Sequence, residues 1–193
     1  MIKEIVKINF IDKSYNYLKH NLKVFIVLLA ATFILLFSFF LYESLEEKNN
    51  IKIADRYTQA SILIKQKKLY ESKQLLESII NKDHHFYSPM ALYLIIGNNI
   101  ESDHSKIISH FDKILKNNSI DKENLNLIKI KKSIYLIGID KEELIVTTLN
   151  PVVNSDSVWR IIAINLLAEY FFSKGQKFKA DEYIKLLNNE TRN

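Results

Sequence analysis

The chain has no cysteine, and only three glycines and two prolines among 193 residues. The missing cysteine removes disulfides, cysteine–zinc sites, thiol nucleophiles and lipoprotein attachment together. It leaves the compartment open, because oxidising compartments also hold disulfide-free domains. Five Gly and Pro residues, where roughly 12% of a chain is usual, are too few for the tight turns of a β-sandwich or barrel. Collagen-like and Gly/Pro-rich low-complexity readings fall with them. Charge of one sign is also lacking. There are 27 basic and 22 acidic residues, for a net +5, and residues 43–193 hold 22 and 20 of them, a net +2, which leaves no nucleic-acid footprint there. With 48% of residues hydrophobic, disorder is excluded as well. Catalytic motifs are missing too: no G-x-S-x-G, G-x-G-x-x-G, G-x-x-x-x-G-K-[ST] or H-E-x-x-H occurs, and three scattered glycines build no phosphate cradle. The expectation is an all-α protein that is not an enzyme and takes neither cofactor nor metal.

What is present begins with a long apolar run. Val24 to Tyr42 are nineteen residues without a charge, bounded by Lys23 and Glu43. As a helix they extend about 28 Å, close to the roughly 30 Å hydrocarbon core of a bilayer. The run is apolar on all sides, which argues against an ordinary core helix. A cleavable signal peptide would be shorter and end at small residues, whereas this run gives way to Glu43-Ser44-Leu45-Glu46-Glu47. An uncleaved anchor over 23–42 is the expectation. Ahead of it, residues 1–22 form a short basic segment in which Ile5, Ile8, Ile11, Tyr15 and Leu18 mark one helical stripe. Such a segment suits an interfacial helix on an anionic leaflet, or simply a topology signal. Residues 1–23 hold five lysines, against three Lys and Arg in 43–62. The positive-inside rule then places the N-terminus in the cytoplasm and residues 43–193 outside it, in the periplasm of a Gram-negative cell.

Residues 43–193 show helical periodicity throughout. Leu69, Leu75, Leu76, Ile79 and Ile80 form one stripe, and Ile107, Ile108, Phe111, Ile114 and Leu115 another. A third, less clean stripe is Leu125, Ile128, Ile134, Tyr135 and Ile137. Gly97, Gly138 and Gly175 are 41 and 37 residues apart, each after an apolar run. They are expected to end helices in the left-handed conformation. Ser88-Pro89 and Asn150-Pro151 are expected to start helices, with a capping residue before a Pro. Helix–turn–helix units of this length predict a tetratricopeptide-like α-solenoid of about four degenerate hairpins. Its close-packing positions are Ala168 and Ala180, twelve apart across Gly175, and Ala60 and Ser72, also twelve apart. Ala91 is the corresponding small residue of the second unit, while Leu63, Ile164, Leu167, Phe171 and Ile184 are further core positions. Trp159 opens the last pair as a core aromatic. The polar residues from Lys177 to Asn193 would cap the array, which favours a monomeric domain.

Four histidines, His84, His85, His104 and His110, cluster in sequence. His84 and His85 are adjacent and would face different ways, and His104 and His110 are six apart, so neither pair has the i, i+4 spacing of helical ligands. Surface turns are their expected setting. Lys65 to Lys68 and Lys129 to Lys132 are expected at exposed helix edges, and Glu142-Glu143 and Asp181-Glu182 on solvated faces. Helix face alone nominates Tyr57, Ser61, Tyr93 and Asn165, on the first helices of their hairpins, as lining for a partner segment.

The order of features, with YNYLKHNL at Tyr15–Leu22, YSPMAL at Tyr87–Leu92 and the stretch from Trp159-Arg160 to Gly175, resembles the YfgM-like family of membrane-anchored tetratricopeptide proteins, over nearly the whole chain. The resemblance implies an ancillary subunit of the SecYEG translocon whose periplasmic domain contacts membrane-anchored chaperones of the PpiD type. It carries over no catalytic residue. Lys67-Lys68 departs from the pattern, since the first turn would usually hold Gly. A scaffold for envelope assembly or cell division is the alternative, and a cytoplasmic regulator a third reading.

Overall fold

The computed structural model describes residues 21–190. Among them the chain is all-helical, with eight helices and no strand. These are α1 (Leu22–Lys65), α2 (Leu69–Ile80), α3 (Tyr87–Gly97), α4 (His104–Leu115), α5 (Lys122–Gly138), α6 (Glu142–Val153), α7 (Arg160–Ser173) and α8 (Lys177–Glu190). The basic segment expected over 1–22 lies, but for its last two residues, outside the described residues. The chain divides into two units, Met1–Lys52 and Ile53–Asn193.

In the first unit, α1 is long and apolar enough to cross a membrane. Its apolar side chains from Val24 to Tyr42 are exposed on every side. Nothing in this stretch breaks the helix. The one polar group with a described bond, Thr32 Oγ, donates to the Leu28 carbonyl one turn back (2.9 Å), the way hydroxyls are satisfied within an apolar helix.

The second unit is four helical hairpins in sequence. Residues 53–65 of α1 precede α2; then follow α3 with α4, α5 with α6, and α7 with α8. The first helix of each hairpin ends in the same way. Lys67, Asn99, Asp140 and Gly175 each take a left-handed φ, of 61°, 50°, 54° and 72°. Each donates its N–H to the carbonyl three residues back, and the following N–H reaches five back: Lys68 to Leu63, Ile100 to Ile95, Lys141 to Leu136, Gln176 to Phe171. That pair of bonds is the Schellman ending, which satisfies carbonyls that a helix C-terminus leaves open.

Only one of the three glycines supplies the left-handed residue. Gly97 and Gly138 are the last residues of α3 and α5, and the turn falls two positions later, on Asn99 and Asp140. Asn and Asp tolerate this region because their short side chains bond locally. At Lys67 nothing compensates the β-carbon. Replacing Lys67 by Gly is therefore expected to stabilise the protein by about 0.5–1 kcal/mol. Gly175→Ala should cost about 1 kcal/mol, whereas Gly97→Ala is neutral or stabilising, since a β-carbon there meets nothing within 4 Å. Urea midpoints read from Trp159, the only tryptophan, rank the three.

The prolines also differ from expectation. Pro89 lies in the first turn of α3, but Ser88 is no cap: it is buried, and its Oγ donates to the Ile79 carbonyl (3.0 Å). The N-cap position is Phe86, with no side-chain cap of its own, and the N–H groups of Phe86 and Tyr87 donate instead to His84 Nδ1 (3.1 Å each). Pro151 does not start a helix. It sits in the last turn of α6, where its φ fits and the helix ends two residues later. Elsewhere acidic caps work as usual: Asp103 accepts from the Ser105 N–H and Asp121 from that of Asn124, both at 2.9 Å.

Two hydrophobic cores follow one another along the unit. The first gathers Ile53, Ala60, Leu76, Ile79, Leu92, Phe111 and Ile128. The second gathers Ile130, Leu136, Leu149, Ile164, Leu167 and Phe171. Helix α5 contributes to both, Ile128 to one and Ile130 to the other. Ser72, twelve residues from Ala60, closes the first hairpin by donating its Oγ to the Ala60 carbonyl (3.0 Å). Ala60, Ser72, Ala91, Ala168 and Ala180 are all buried, and Gly175 lies exposed at its turn. Trp159 packs half-buried against the second core. Three residues expected in the core are exposed instead: Leu69, Ile134 and Ile184.

Successive hairpins are also tied by polar contacts at a recurring sequence distance. Lys113 donates to Asn81 (2.9 Å), Ser157 Oγ to Glu123 (2.7 Å), Tyr170 Oη to Asp140 (2.9 Å) and Gln176 to Glu142 (3.2 Å). The partners are 32, 34, 30 and 34 residues apart. Lys122 and Asp156, also 34 apart, pair at 2.8 Å. Apart from Tyr170 and Asp140, which join a helix to a turn, the paired places in neighbouring hairpins are equivalent to within a residue, as stacked units require.

Candidate functional site

Counting back from the left-handed residue of each turn places the four nominated side chains at two equivalent positions. Tyr57 and Asn165 stand ten residues before it, Ser61 and Tyr93 six before. With the positions three and thirteen before, these make one stripe per first helix, since such spacings share a helix face. Of the sixteen side chains so placed, Pro89 and Ile130 are buried, and among the other fourteen Glu169 alone carries a charge. Phe86, Ile134, Ile162 and Phe172 are large, apolar and exposed within the stripe.

The four nominated residues do not converge on one pocket. Tyr57 leans on the Tyr87 ring, with centroids 5.6 Å apart. Ser61 turns inward along its own helix, its Oγ donating to the Tyr57 carbonyl (3.0 Å). Asn165 is exposed on α7. Tyr93 does line a cleft, of about 180 Å3, between α3 and α5, walled by Phe86, Pro89, Met90, Leu127 and Ile128 with His85 and Asn124 also lining it. Burial pushes the Tyr93 phenol up to about 12, so it stays neutral. Phe86, Met90 and Leu127 were not singled out by helix face. The turn residues would have found Phe86 and Leu127, both thirteen before Asn99 and Asp140, but the second and third turns hold Asn and Asp where glycine marks the helix end.

Two larger clefts have charged walls. One, of about 590 Å3, lies by Glu142, Phe171, Lys179 and Tyr183; Glu142 there is engaged by Lys179 (3.0 Å) and Gln176. The other, of about 740 Å3, runs along α4 past Asp83, Asp112 and Lys113, and Lys113 pairs with Asp83 (3.7 Å). The histidines correct two expectations. The rings of His84 and His85 stack at 4.5 Å rather than facing apart, and His110 is half-buried in α4, where burial lowers its pKa. Among the described residues no group of three or more His, Asp or Glu side chains could hold a metal ion. Lys132 is a further correction: it is buried rather than at an exposed edge, and its Nζ meets Asp112 at 2.6 Å.

The longest of the four hairpin turns carries the most strongly perturbed acid. Glu101, between α3 and α4, has a side chain only 7% exposed, held by Lys73 of α2 (2.6 Å) and by Lys106 (3.7 Å). The Asp103 N–H also donates to it (2.9 Å). The bond from Lys73 is the largest cause that pulls its carboxyl from the ordinary 4.5 down to about 2. The folded state therefore releases its proton more readily than the unfolded chain. The stabilisation this gives is complete above about pH 4.5 and is lost as pH falls from there towards 2. Lys73→Met is expected to lower the urea midpoint at pH 7, with the gap to the unaltered protein narrowing below pH 4.5. A gap that is constant down to pH 3 would assign the loss to the lysine stem instead.

No family model matches the chain, and neither the curated proteins nor the solved structures provide a match.

Proposed function

We propose that this chain is a membrane-anchored interaction module that is not an enzyme. The Val24–Tyr42 stretch of α1 spans a bilayer, with the N-terminus cytoplasmic and the hairpins periplasmic. The hairpins form a tetratricopeptide-like solenoid, and the stripe of their first helices lines its concave side. Support for the repeat comes from the four matching turns and from polar ties recurring near 34 residues, the period of that repeat. Support for the partner's chemistry is the near-absence of charge along the stripe. An uncharged lining with exposed Phe86 and Phe172 favours an apolar segment over an acidic tail or a free terminus, which would need lysine or arginine clamps. The cleft at Tyr93 would take one anchoring side chain of that segment. Membrane confinement would raise the effective concentration of the module near a membrane partner.

On the YfgM-like resemblance, the partner is the SecYEG translocon together with a membrane-anchored periplasmic chaperone, met during export of envelope proteins. A photo-crosslinking residue placed at Phe86 in the full chain, in growing cells, tests this reading. Adducts with translocon or envelope-chaperone subunits are expected, and they should fall about tenfold when Leu127 is changed to Asp, a loss of hot-spot size. Labelling no stronger than from Tyr70, which is 74% exposed and off the stripe, would sink it. Adducts only with division or outer-membrane assembly components would favour the scaffold alternative.

A further inference from the structure

The fourth hairpin retains the apolar residues through which the other three hold their successors. Nine residues after the left-handed position stand Leu76, Leu149 and Ile184; Phe111 holds the same place in the second hairpin, whose second helix begins three residues later. Leu76, Phe111 and Leu149 are 0%, 1% and 0% exposed, but Ile184 is 41% exposed. In the earlier hairpins the next first helix supplies the cover. The Phe111 ring lies 6.2 Å from that of Tyr135 on α5, and Leu149 shares a core with Ala163 and Ile164 of α7. Among the described residues no further helix covers Ile184. Leu187, in the place of Ile79 and Val152, is likewise only partly covered.

The opposite end of the array is built differently. Asp55 and Arg56, both exposed on α1, occupy the places that Ala163 and Ile164 hold on α7. Ile62, in the place of Tyr170, is exposed there too, but the two charges stand where the partner end would need apolar side chains, which disfavours a head-to-tail string. The remaining self-match is the apolar end against itself.

We propose that the α8 face around Ile184 pairs with the same face of a second copy of this chain about a two-fold axis. The charges on α8 are self-complementary for this. Asp181 and Glu182 precede Ile184, and Lys185 follows it, all three exposed. Two α8 helices running antiparallel about Tyr183 set each Lys185 beside the Asp181 of the other copy, with the two Ile184 side chains near the axis. The polar composition after Lys177, which predicts a capped monomer, hides a single apolar row within it.

The chain has no cysteine of its own, which makes the test direct. In the full chain in mild detergent, Ile184→Cys is expected to oxidise to a covalent species of twice 22.7 kDa, while Tyr70→Cys does not. Ile184→Lys should raise the dimer dissociation constant about tenfold or more in sedimentation equilibrium, with the Trp159 unfolding midpoint unchanged at low protein concentration. Asp181→Lys should weaken the dimer, and Lys185→Asp added to the same chain should restore it. If Ile184→Lys fails to fold, the cysteine cross-link and the charge exchange decide. A monomeric unaltered chain, equal cross-linking from Tyr70→Cys, or cross-linking of Ile184→Cys solely to a different protein in cells would each overturn the second copy as occupant. None of these outcomes depends on what the stripe of first helices binds.

Discussion

Replacing Phe171 by Ala is expected to cost about 3–5 kcal/mol, the range for an aromatic removed from a packed core. Against the 5–15 kcal/mol total typical of a domain, this is the largest single loss foreseen in the molecule. Phe171 is 2% exposed in the second core. Its ring stacks on Tyr183 at 5.7 Å, meets Tyr170 edge-on at 5.4 Å, and lies 4.8 Å beneath the Lys179 ammonium. The residue closes the last hairpin from both sides: its carbonyl accepts the Gln176 N–H of the turn, and its ring touches α8. The site collapses poorly because α7 and α8 are joined by a three-residue connection whose turn is already set. Urea unfolding of the full chain in detergent, followed by Trp159, should show a lower midpoint, and a loss of urea slope if the last hairpin detaches separately. A loss below 1 kcal/mol would mean that the aromatic stack adds little beyond the rest of the core.

The second large effect concerns a buried charge. Lys132 has a side chain only 8% exposed, and its Nζ reaches Asp112, which is 50% exposed, at 2.6 Å. Asp112→Ala leaves the ammonium buried without its carboxylate. The expected cost is about 2–3 kcal/mol, below the 3–5 kcal/mol of a fully enclosed pair, because water can approach from the Asp112 side. Lys132→Met should behave oppositely. It replaces a costly desolvated group by an apolar one of similar reach, so stability should change by under about 1 kcal/mol or rise. The double variant should match Lys132→Met alone, since the aspartate then has nothing to pair. If Lys132→Met costs as much as Asp112→Ala, the pair stabilises the fold outright and its desolvation has been overstated.

Much of this architecture was legible in the sequence, and the failures have physical causes. The long apolar run could be read because nineteen uncharged residues have few alternatives. The hairpins could be read from periodicity and from breakers that end helices. Their turns are less legible, because a helix can end on glycine and still turn two residues later on Asn or Asp, as at Asn99 and Asp140. Pro151 differs from expectation because a proline near a helix C-terminus and one at an N-terminus look alike without the flanking hydrogen bonds. Lys132 looked like an exposed edge because charge runs usually are; nothing local announces that a carboxylate twenty residues earlier will meet it. The nominated stripe was chosen by helix face. The cleft at Tyr93 needs Leu127 and Phe86 from two different hairpins, a juxtaposition that no single helix encodes.

The two cores share one helix, and that has a mechanical consequence. A load applied at the C-terminus meets α8 and α7 first, then α6, each held by its immediate neighbour. At α5 the situation changes. Ile130 and Leu136 have by then lost their partners, while Ile128 still serves the first core. Stripping α5 also removes the wall against which Phe111 is packed. Tension from that end therefore empties the second core before it reaches the first, and α5 is the boundary between them.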